Sequence, residues 1–489
     1  MTVAPKRHPN AILTALASCG VLVSVTQTIV VPLLPQLPEL TGSTPSNVSW
    51  LVTVTLLAGA VFTPLLGRAG DMYGKRKVLL LALGAMLAGS LLCAVTTNLP
   101  LLIAGRALQG ASIALVPLGI SILRDELPRE RTNAAIGFMS ATLGLGGALG
   151  LPAATLVIQY ADWHTMFWVC AVLTLLVMAV VLLVVPESPI RTNGRFDTVG
   201  ALGLTTLLLC LLVPVSKGGD WGWDAPVTLG LFAVAALVAP IWTIHQLRAR
   251  RPLVDLRVSA RPAVLYTNLA SLLVGFAFYA NGLATAQLLQ EPTSNGYGLG
   301  GSIVVAGLCM LPGGIAFVLL SPVSARISAA RGPRFTLALG AVILAGGYLL
   351  RIFTSTSFVG VTIGSTIIAV GTAAAYSALP ALIMHAVPVS ETAAANGLNT
   401  LMRSVGQAVC SAVVATILAA VVATTGDHTG PTFGAYLLVF VIAAAVSLVA
   451  LGLTLLIPGQ RPGRDATDTP DAPAVANPRL VAATPPGAA

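Results

Sequence analysis

Charge is what this chain has least of. Only 9% of its 489 residues are Asp, Glu, Lys or Arg, against roughly a quarter in an ordinary soluble domain, so a water-exposed fold of this size is excluded. Cysteine is sparse and solitary. Cys19, Cys93, Cys170, Cys210, Cys309 and Cys410 each lie inside an apolar run, with no partner at ligand or redox spacing. The chain therefore offers no disulfide framework, no metal site and no redox motif. No Ser/His/Asp, Cys/His or paired-acid set clusters, so an enzyme is not expected and no cofactor is implied. Dyad alternation of the kind that builds membrane barrels is missing as well. Acids inside the apolar runs are the most telling lack: the 17 Asp and Glu residues all fit connecting segments, helix ends or the C-terminal tail.

What the chain does have is hydrophobic length: 56% of its residues are apolar, in runs punctuated by Gly, Pro and charge. About 20 helical residues at 1.5 Å rise cross a hydrocarbon core of about 30 Å. Read this way, the sequence gives an all-α integral membrane protein with fourteen spans, at 11–34, 47–66, 78–96, 99–123, 133–158, 163–185, 198–216, 225–247, 263–290, 300–323, 335–353, 357–385, 393–423 and 432–457. The Pro-, Ala- and Asp-rich stretch over 458–489 reads as a disordered tail.

The cations orient these spans. Of 26 Lys and Arg, 22 fall in segments that share one side of the membrane with both termini, Lys217 and Arg351 fall on the other side, and Arg106 and Arg403 lie within spans. A bias this strong marks the basic side as cytoplasmic and supports the even span count. The formal net charge of +9 thus reads as topological, not as a nucleic-acid footprint. A multi-pass protein of the plasma (inner) membrane with both termini cytoplasmic is expected, and the 22 to 4 excess of Arg over Lys hints at a GC-rich bacterial genome.

The chain also repeats itself. "LLGRAGDMYGKRKVLLLALG" after span 2 is echoed by "VSARISAARGPRFTLALG" after span 10, and "GLGGALG" in span 5 by "SVGQAVC" in span 13. Both offsets are near 260 residues. The organisation this implies is a cytoplasmic N-terminus at 1–10, a six-helix bundle over 11–185, an inserted pair with linkers over 186–262, a second six-helix bundle over 263–457, and the tail. Two related bundles imply a site between them.

Between spans 2 and 3 stands "GRAGDMYGKRK", read as a short turn. Gly67 and Gly74 allow a tight reversal, and Asp71 can sit against a helix N-terminus, whose partial positive charge favours an anion. A topological anchor explains the cations there, but neither the acid nor the glycine spacing. This loop resembles the signature loop of the major facilitator superfamily, and the fourteen-span layout resembles its drug:proton antiporter branch. "RALQG" in span 4, the Gly-rich span 5, Trp221 and Trp223 in the outer loop after span 7, "RPLVDLR" before span 9 and "ETAAANGLNTLMRSVGQA" entering span 13 extend the likeness over nearly the whole chain. The resemblance implies that Asp71, Lys75 and Arg76, with Asp125 at the foot of span 4, form an ion-pair latch that holds the cytoplasmic side shut in the outward-facing state.

Arg106 is the second signal. An arginine at the centre of a span costs about 2.5–3.5 kcal/mol even on lenient insertion scales. Either it faces water or substrate, or it is a brace held by backbone carbonyls, and the first reading is preferred. Gln109, three residues on, projects from the same helical face. Thr26 and Gln27 in span 1, Asn268, Tyr279 and Asn281 in span 9, Tyr376 in span 12 and Arg403 in span 13 complete a candidate polar lining, although each singly is equally explained by an interhelical hydrogen bond.

Two departures from the family pattern matter. Span 5 lacks the antiporter signature's glycine pair, its proline being displaced to Pro152, and span 1 carries Thr26 where the branch usually has an aspartate. A cavity without a carboxylate favours neutral, zwitterionic or anionic substrates over lipophilic cations. The expectation is a monomeric secondary transporter among membrane lipids, exporting amphipathic small molecules with protons as coupling ion. Protons would have to enter peripherally, at Glu39, Asp71 or Asp125. An uncoupled facilitator or exchanger, and a nontransporting sensor or lipid-handling protein, stand as alternatives.

Overall fold

In the computed structural model the described residues are 9–458, apart from 31–32, 34–36, 129–130, 133, 141, 143–145, 147–149, 151–153, 155–156, 158–159, 189, 193–194 and 426–427. The expected tail and the displaced Pro152 therefore lie outside the described residues.

The first bundle is built from α1 (Pro9–Thr28), α2 (Trp50–Tyr73), α3 (Lys75–Ala94), α4 (Leu99–Glu126), α5 (131–160, whose described residues are helical) and α6 (His164–Val184). The inserted pair is α7 (Thr198–Trp221) and α8 (Pro226–Arg248). The second bundle holds α9 (Pro262–Gln290), α10 (Ile303–Arg331), α11 (Pro333–Thr354), α12 (Phe358–Ala386), α13 (Thr392–Ala420) and α14 (Phe433–Leu456). Thirteen helices among the described residues are long and apolar enough to cross a membrane, and α5 supplies the fourteenth expected position.

Local chemistry sets the helix ends. Asn98, Asp197, Ser302, Ser357 and Thr432 cap α4, α7, α10, α12 and α14 by accepting a first-turn backbone N–H. Proline opens α8, α9 and α11, where its missing N–H costs nothing. Between α2 and α3 the whole turn is one residue, Gly74 at φ +115°, and between α10 and α11 it is Gly332 at φ +87°. Both dihedrals belong to glycine's territory, and the pair sits at the offset of the sequence repeat.

Packing repeats as well. In the first bundle α3 lies against α4 and α6, and α1 against α4 and α6; in the second, α11 lies against α12 and α14, and α9 against α12 and α14. The bundles meet where α2 packs along α13, with α4 also touching α13. Helix α7 lies over that seam, contacting both α2 and α13, and Leu204, Leu208 and Leu212 share its apolar cluster with Leu57, Leu401 and Ala408. Helix α7 of the inserted pair thus joins the bundle interface, and α8 packs on α7.

Several sequence expectations change. Helix α1 ends at Thr28, short of 34. Helix α2 runs seven residues past 66, so Gly67, Arg68 and Asp71 are helical and Gly74 alone makes the turn. The apolar run stops near residue 66, but the helix continues because its polar end is covered by α13. Lys217, expected just past span 7, and Arg351, expected near the far-side end of span 11, are both helical and almost fully buried, at 1% and 0% exposure. Glu39, a candidate proton site, lies exposed on the short helix Leu37–Thr41. A two-stranded hairpin, Val422–Thr425 with His428–Pro431, joins α13 to α14 and had no sequence signal.

Candidate functional site

At the end of the molecule that carries the basic segments, the α2 terminus of the first bundle reaches the first turn of α13 in the second. The Asp71 carboxylate accepts the backbone N–H of Ala394 at 2.8 Å and of Ala393 at 3.3 Å. These are helix-start donors with no intrahelical acceptor, and a carboxylate there is favoured by both hydrogen bonding and the helix dipole. Lys75 Nζ lies 3.8 Å from Asp71 Oδ1 and 2.6 Å from Asp125 Oδ2, with all three side chains fully buried. Ser188 Oγ donates to the same Asp125 oxygen at 2.6 Å. The glycines let the helices close: a Cβ on Gly67 would sit 2.7 Å from the Ala393 carbonyl oxygen, and one on Gly397 would sit 3.0 Å from that of Thr63.

A second tie lies beside this one. Arg124 Nη1 donates to Thr392 Oγ1 at 2.5 Å and Nη2 to the Val387 carbonyl at 3.4 Å. The linker before α7 joins in, with Thr192 N donating to the Asp71 carbonyl at 2.7 Å and Thr192 Oγ1 to the Ser390 carbonyl at 2.8 Å. Sequence reasoning missed Arg124, Ser188 and Thr192, whose partners lie between 63 and 268 residues away in the chain, where no local pattern announces them. Arg76, expected among the ion pairs, points elsewhere: its guanidinium donates to the Leu182 carbonyl and its backbone N–H to Glu187 at 3.2 Å. Gly74 sits over the same Glu187 carboxylate, and its positive φ turns the chain there.

The candidate lining residues do not converge on one space. Arg106, 1% exposed, donates through Nε to the Leu51 carbonyl and through Nη1 to the Thr26 carbonyl, each at 3.0 Å, and to Gln109 Oε1 at 2.7 Å. Gln109 Nε2 continues to Ser90 Oγ at 2.9 Å, so this chain ties α1, α2, α3 and α4 together inside the first bundle. Gln109, expected to face a cavity, is fully buried against α3. Thr26 turns its hydroxyl to its own helix at Leu22, while Gln27 next to it is half-buried. Just past Gly110 the helix tightens into a 3-10 turn over Ala111–Ala114, where a Cβ on Gly110 would meet the Thr55 carbonyl of α2 at 2.7 Å.

In the second bundle the polar residues form three groups. Asn268 accepts from Asn399 Nδ2 at 3.0 Å, joining α9 to α13. Arg403 lies over the Tyr376 ring at 4.6 Å, and Ser140 of α5 donates to the Tyr376 carbonyl at 3.1 Å, which makes this group a contact between bundles. Asn281 donates to Ser365 at 3.0 Å and accepts from Thr285 at 3.2 Å; Thr285 in turn accepts from Arg351 Nη1 at 2.9 Å. Arg351 was missed, although Ser355 four residues on, which accepts from its Nε at 2.9 Å, and the Phe440 ring at 4.6 Å make it a built site. Tyr279 lines a small cavity of about 30 Å³ with residues of α2, α7 and α13. Near its outer end, Lys217 donates to Ser49 and to Asp220 at 3.0 Å and lies 5.3 Å from the Trp50 ring.

Outside the spans, one carboxyl fastens the inserted pair. Asp197 caps α7 and also faces His245 Nε2 at 3.0 Å, Gln246 Nε2 at 3.0 Å and the Leu253 N–H at 3.3 Å. Burial alone would raise its pKa, but these four partners outweigh that and hold it below the ordinary carboxylate value.

Comparison with known proteins agrees with this architecture. The family model described as Major Facilitator Superfamily matches residues 16–410, with a second match over 267–486. The multidrug resistance protein Stp of Mycobacterium tuberculosis is 26% identical over 370 residues, covering 75% of this chain and 68% of its own. The tetracenomycin C resistance and export protein of Streptomyces glaucescens is 25% identical over 410 residues, covering 83% and 75%. Among solved structures, the human organic anion transporter MFSD10 (TETRAN) superposes with a TM-score of 0.65 at 16% identity, over 92% of this chain and 100% of the other, a likeness of fold.

Proposed function

The chain belongs to the Major Facilitator Superfamily, and from that premise we propose that it is a secondary active exporter of amphipathic drugs or metabolites, working as a monomer by alternating access in the plasma membrane. Its basic end and both termini face the cytoplasm in this reading. The observation that carries it is the Asp71 carboxylate on the first turn of α13. A single ionisable group of one bundle there closes a helix end of the other, so its charge state and the access state of the transporter are coupled.

Protons act at this latch. Protonating Asp71 cancels its attraction to Lys75 and weakens the cap on α13, which releases the cytoplasmic end; deprotonation restores the closure. Asp125 shares Lys75 with Asp71. The substrates are neutral, zwitterionic or anionic, because Arg106, Arg351, Arg403 and Lys217 are buried in spans while the acids of the described spans stand at their ends. Outward direction is supported by the relatives named for drug resistance and export. The test is purified protein in liposomes with an imposed pH gradient: substrate efflux should follow the gradient and collapse when it is dissipated. Flux indifferent to the gradient would instead favour an uncoupled facilitator or exchanger, the reading to which the lack of a mid-span carboxylate among the described residues also lends weight.

A further inference from the structure

Beside the latch lies a cavity of about 190 Å³ that the transport reading leaves unused. One wall is α2, through Pro64 and Arg68; another is the segment following α8, through Arg250 to Ser259; the third is the start of α13, through Ala394, Ala395 and Leu398. Arg68 is 7% exposed, lines this space, and makes no hydrogen bond or ion pair among the described residues. Its charge is felt by Asp71 one turn on, but that carboxylate is committed to Lys75 and the α13 amides. A guanidinium without a protein partner keeps its donors free for a ligand, and its planar fork matches a phosphate.

The rest of the lining carries the same message. Arg250 and Arg251 stand exposed at the rim, also without hydrogen bonds or ion pairs among the described residues. Two acids oppose the three arginines. Asp255 spends Oδ1 on the backbone N–H groups of Arg257 and Val258, and Glu391 is half-buried on the α13 side. The balance stays positive. The lining also includes apolar side chains, among them Leu253 and Val264, each 2% exposed. A positive rim and apolar lining residues at a membrane boundary suit a phosphate ester that continues into hydrocarbon.

We propose that this cavity binds the phosphate of an anionic membrane lipid, with Arg68 at its base and Arg250 and Arg251 at its rim. The ligand touches both bundles and the segment after the inserted pair, so it binds the closed arrangement of this end and shifts the population toward it. The proposal is independent of what the protein transports.

The test is thermal unfolding of the full-length protein in neutral detergent, with added phosphatidylglycerol, phosphatidylcholine or inorganic phosphate. Phosphatidylglycerol should raise the midpoint saturably and phosphatidylcholine should not. Each arginine lost should weaken the apparent affinity by about fivefold, so R250Q/R251Q shifts the curve by about 25-fold. Arg68→Lys should keep part of the effect and Arg68→Gln lose at least as much as either rim residue; if R68Q does not fold, the exposed double variant decides alone. Protection by inorganic phosphate that the same variants lose would identify a free phosphate as the source and uphold the site. Equal protection by the two lipids, or an unaltered phosphatidylglycerol curve in the variants, overturns it.

Discussion

The Asp71 carboxylate and the Ala394 amide, 323 residues apart in sequence, meet at 2.8 Å. An acid at the end of α2 thereby serves as the N-terminal cap of a helix in the other bundle. One titratable group thus joins the end of α2 to the start of α13.

Asp71→Asn removes the charge but keeps an acceptor. A carboxylate on a helix start contributes about 0.3–2 kcal/mol, so the closed population should fall by up to roughly 30-fold. A cysteine placed at position 394 should then react faster with a membrane-impermeant thiol reagent from the basic side, and transport should drop. Unchanged labelling would mean that the contact is incidental.

Gly67→Ala tests the same closure by sterics. Its Cβ would stand 2.7 Å from the Ala393 carbonyl oxygen, closer than real contacts allow, whereas Gly84 has open space. We expect G67A to open the basic end and impair transport, and G84A to behave as wild type. Equal activity of the two variants contradicts the packing described for α2 and α13.

Arg106→Ala should abolish transport while membrane insertion persists. Arg106→Lys should recover little, since an ammonium cannot bridge the Leu51 and Thr26 carbonyls and Gln109 at once as the guanidinium does. Full activity in R106A would reduce the residue to a dispensable brace.

Arg351→Ala should act on stability. Truncation leaves a void beside Phe440 and strips Thr285 and Ser355 of a donor, a loss of about 2–4 kcal/mol by analogy with other large-to-small core changes. The apparent substrate affinity of the folded fraction should not move. A shift in that affinity without a fall in thermal midpoint would place Arg351 in the substrate path.

The α7–α8 hairpin should respond to acid. Because the Asp197 pKa is depressed in the fold, its stabilising contribution is complete above the unfolded value of about 3.9 and is lost as pH falls below that through the folded value. Hydrogen exchange at Leu253, whose amide Asp197 accepts, should stay slow at pH 5 once corrected for intrinsic rates, and accelerate below about pH 4. In Asp197→Asn this acid step should vanish.

How much of this was legible beforehand varies with the residue. The cap by Asp71 was readable as a type of interaction, since an acid followed by a tight glycine turn looks for helix-start amides, but which helix it would find was not. Arg76 sits in the same motif with the same charge as Lys75, and nothing in its spacing said that it would turn to Leu182. Arg351 and Lys217 were read as cations facing the far side of the membrane, whereas Thr285 and Ser355, or Ser49 and Asp220, hold them buried. The lining proposed around Arg106 rested on residue type alone. Its members separated because polar groups in neighbouring helices satisfy one another locally before any of them reaches a common space.

By itself the sequence determined that the chain crosses a membrane many times as helices, because length, apolarity and the placement of cations act locally and along the chain. Tertiary structure decided which ends of those helices meet, through the close approach that Gly67 and Gly397 permit and the lid that α7 lays over the seam. It also decided which buried charges find partners. Those outcomes depend on distances between residues hundreds of positions apart, and no local pattern encodes them.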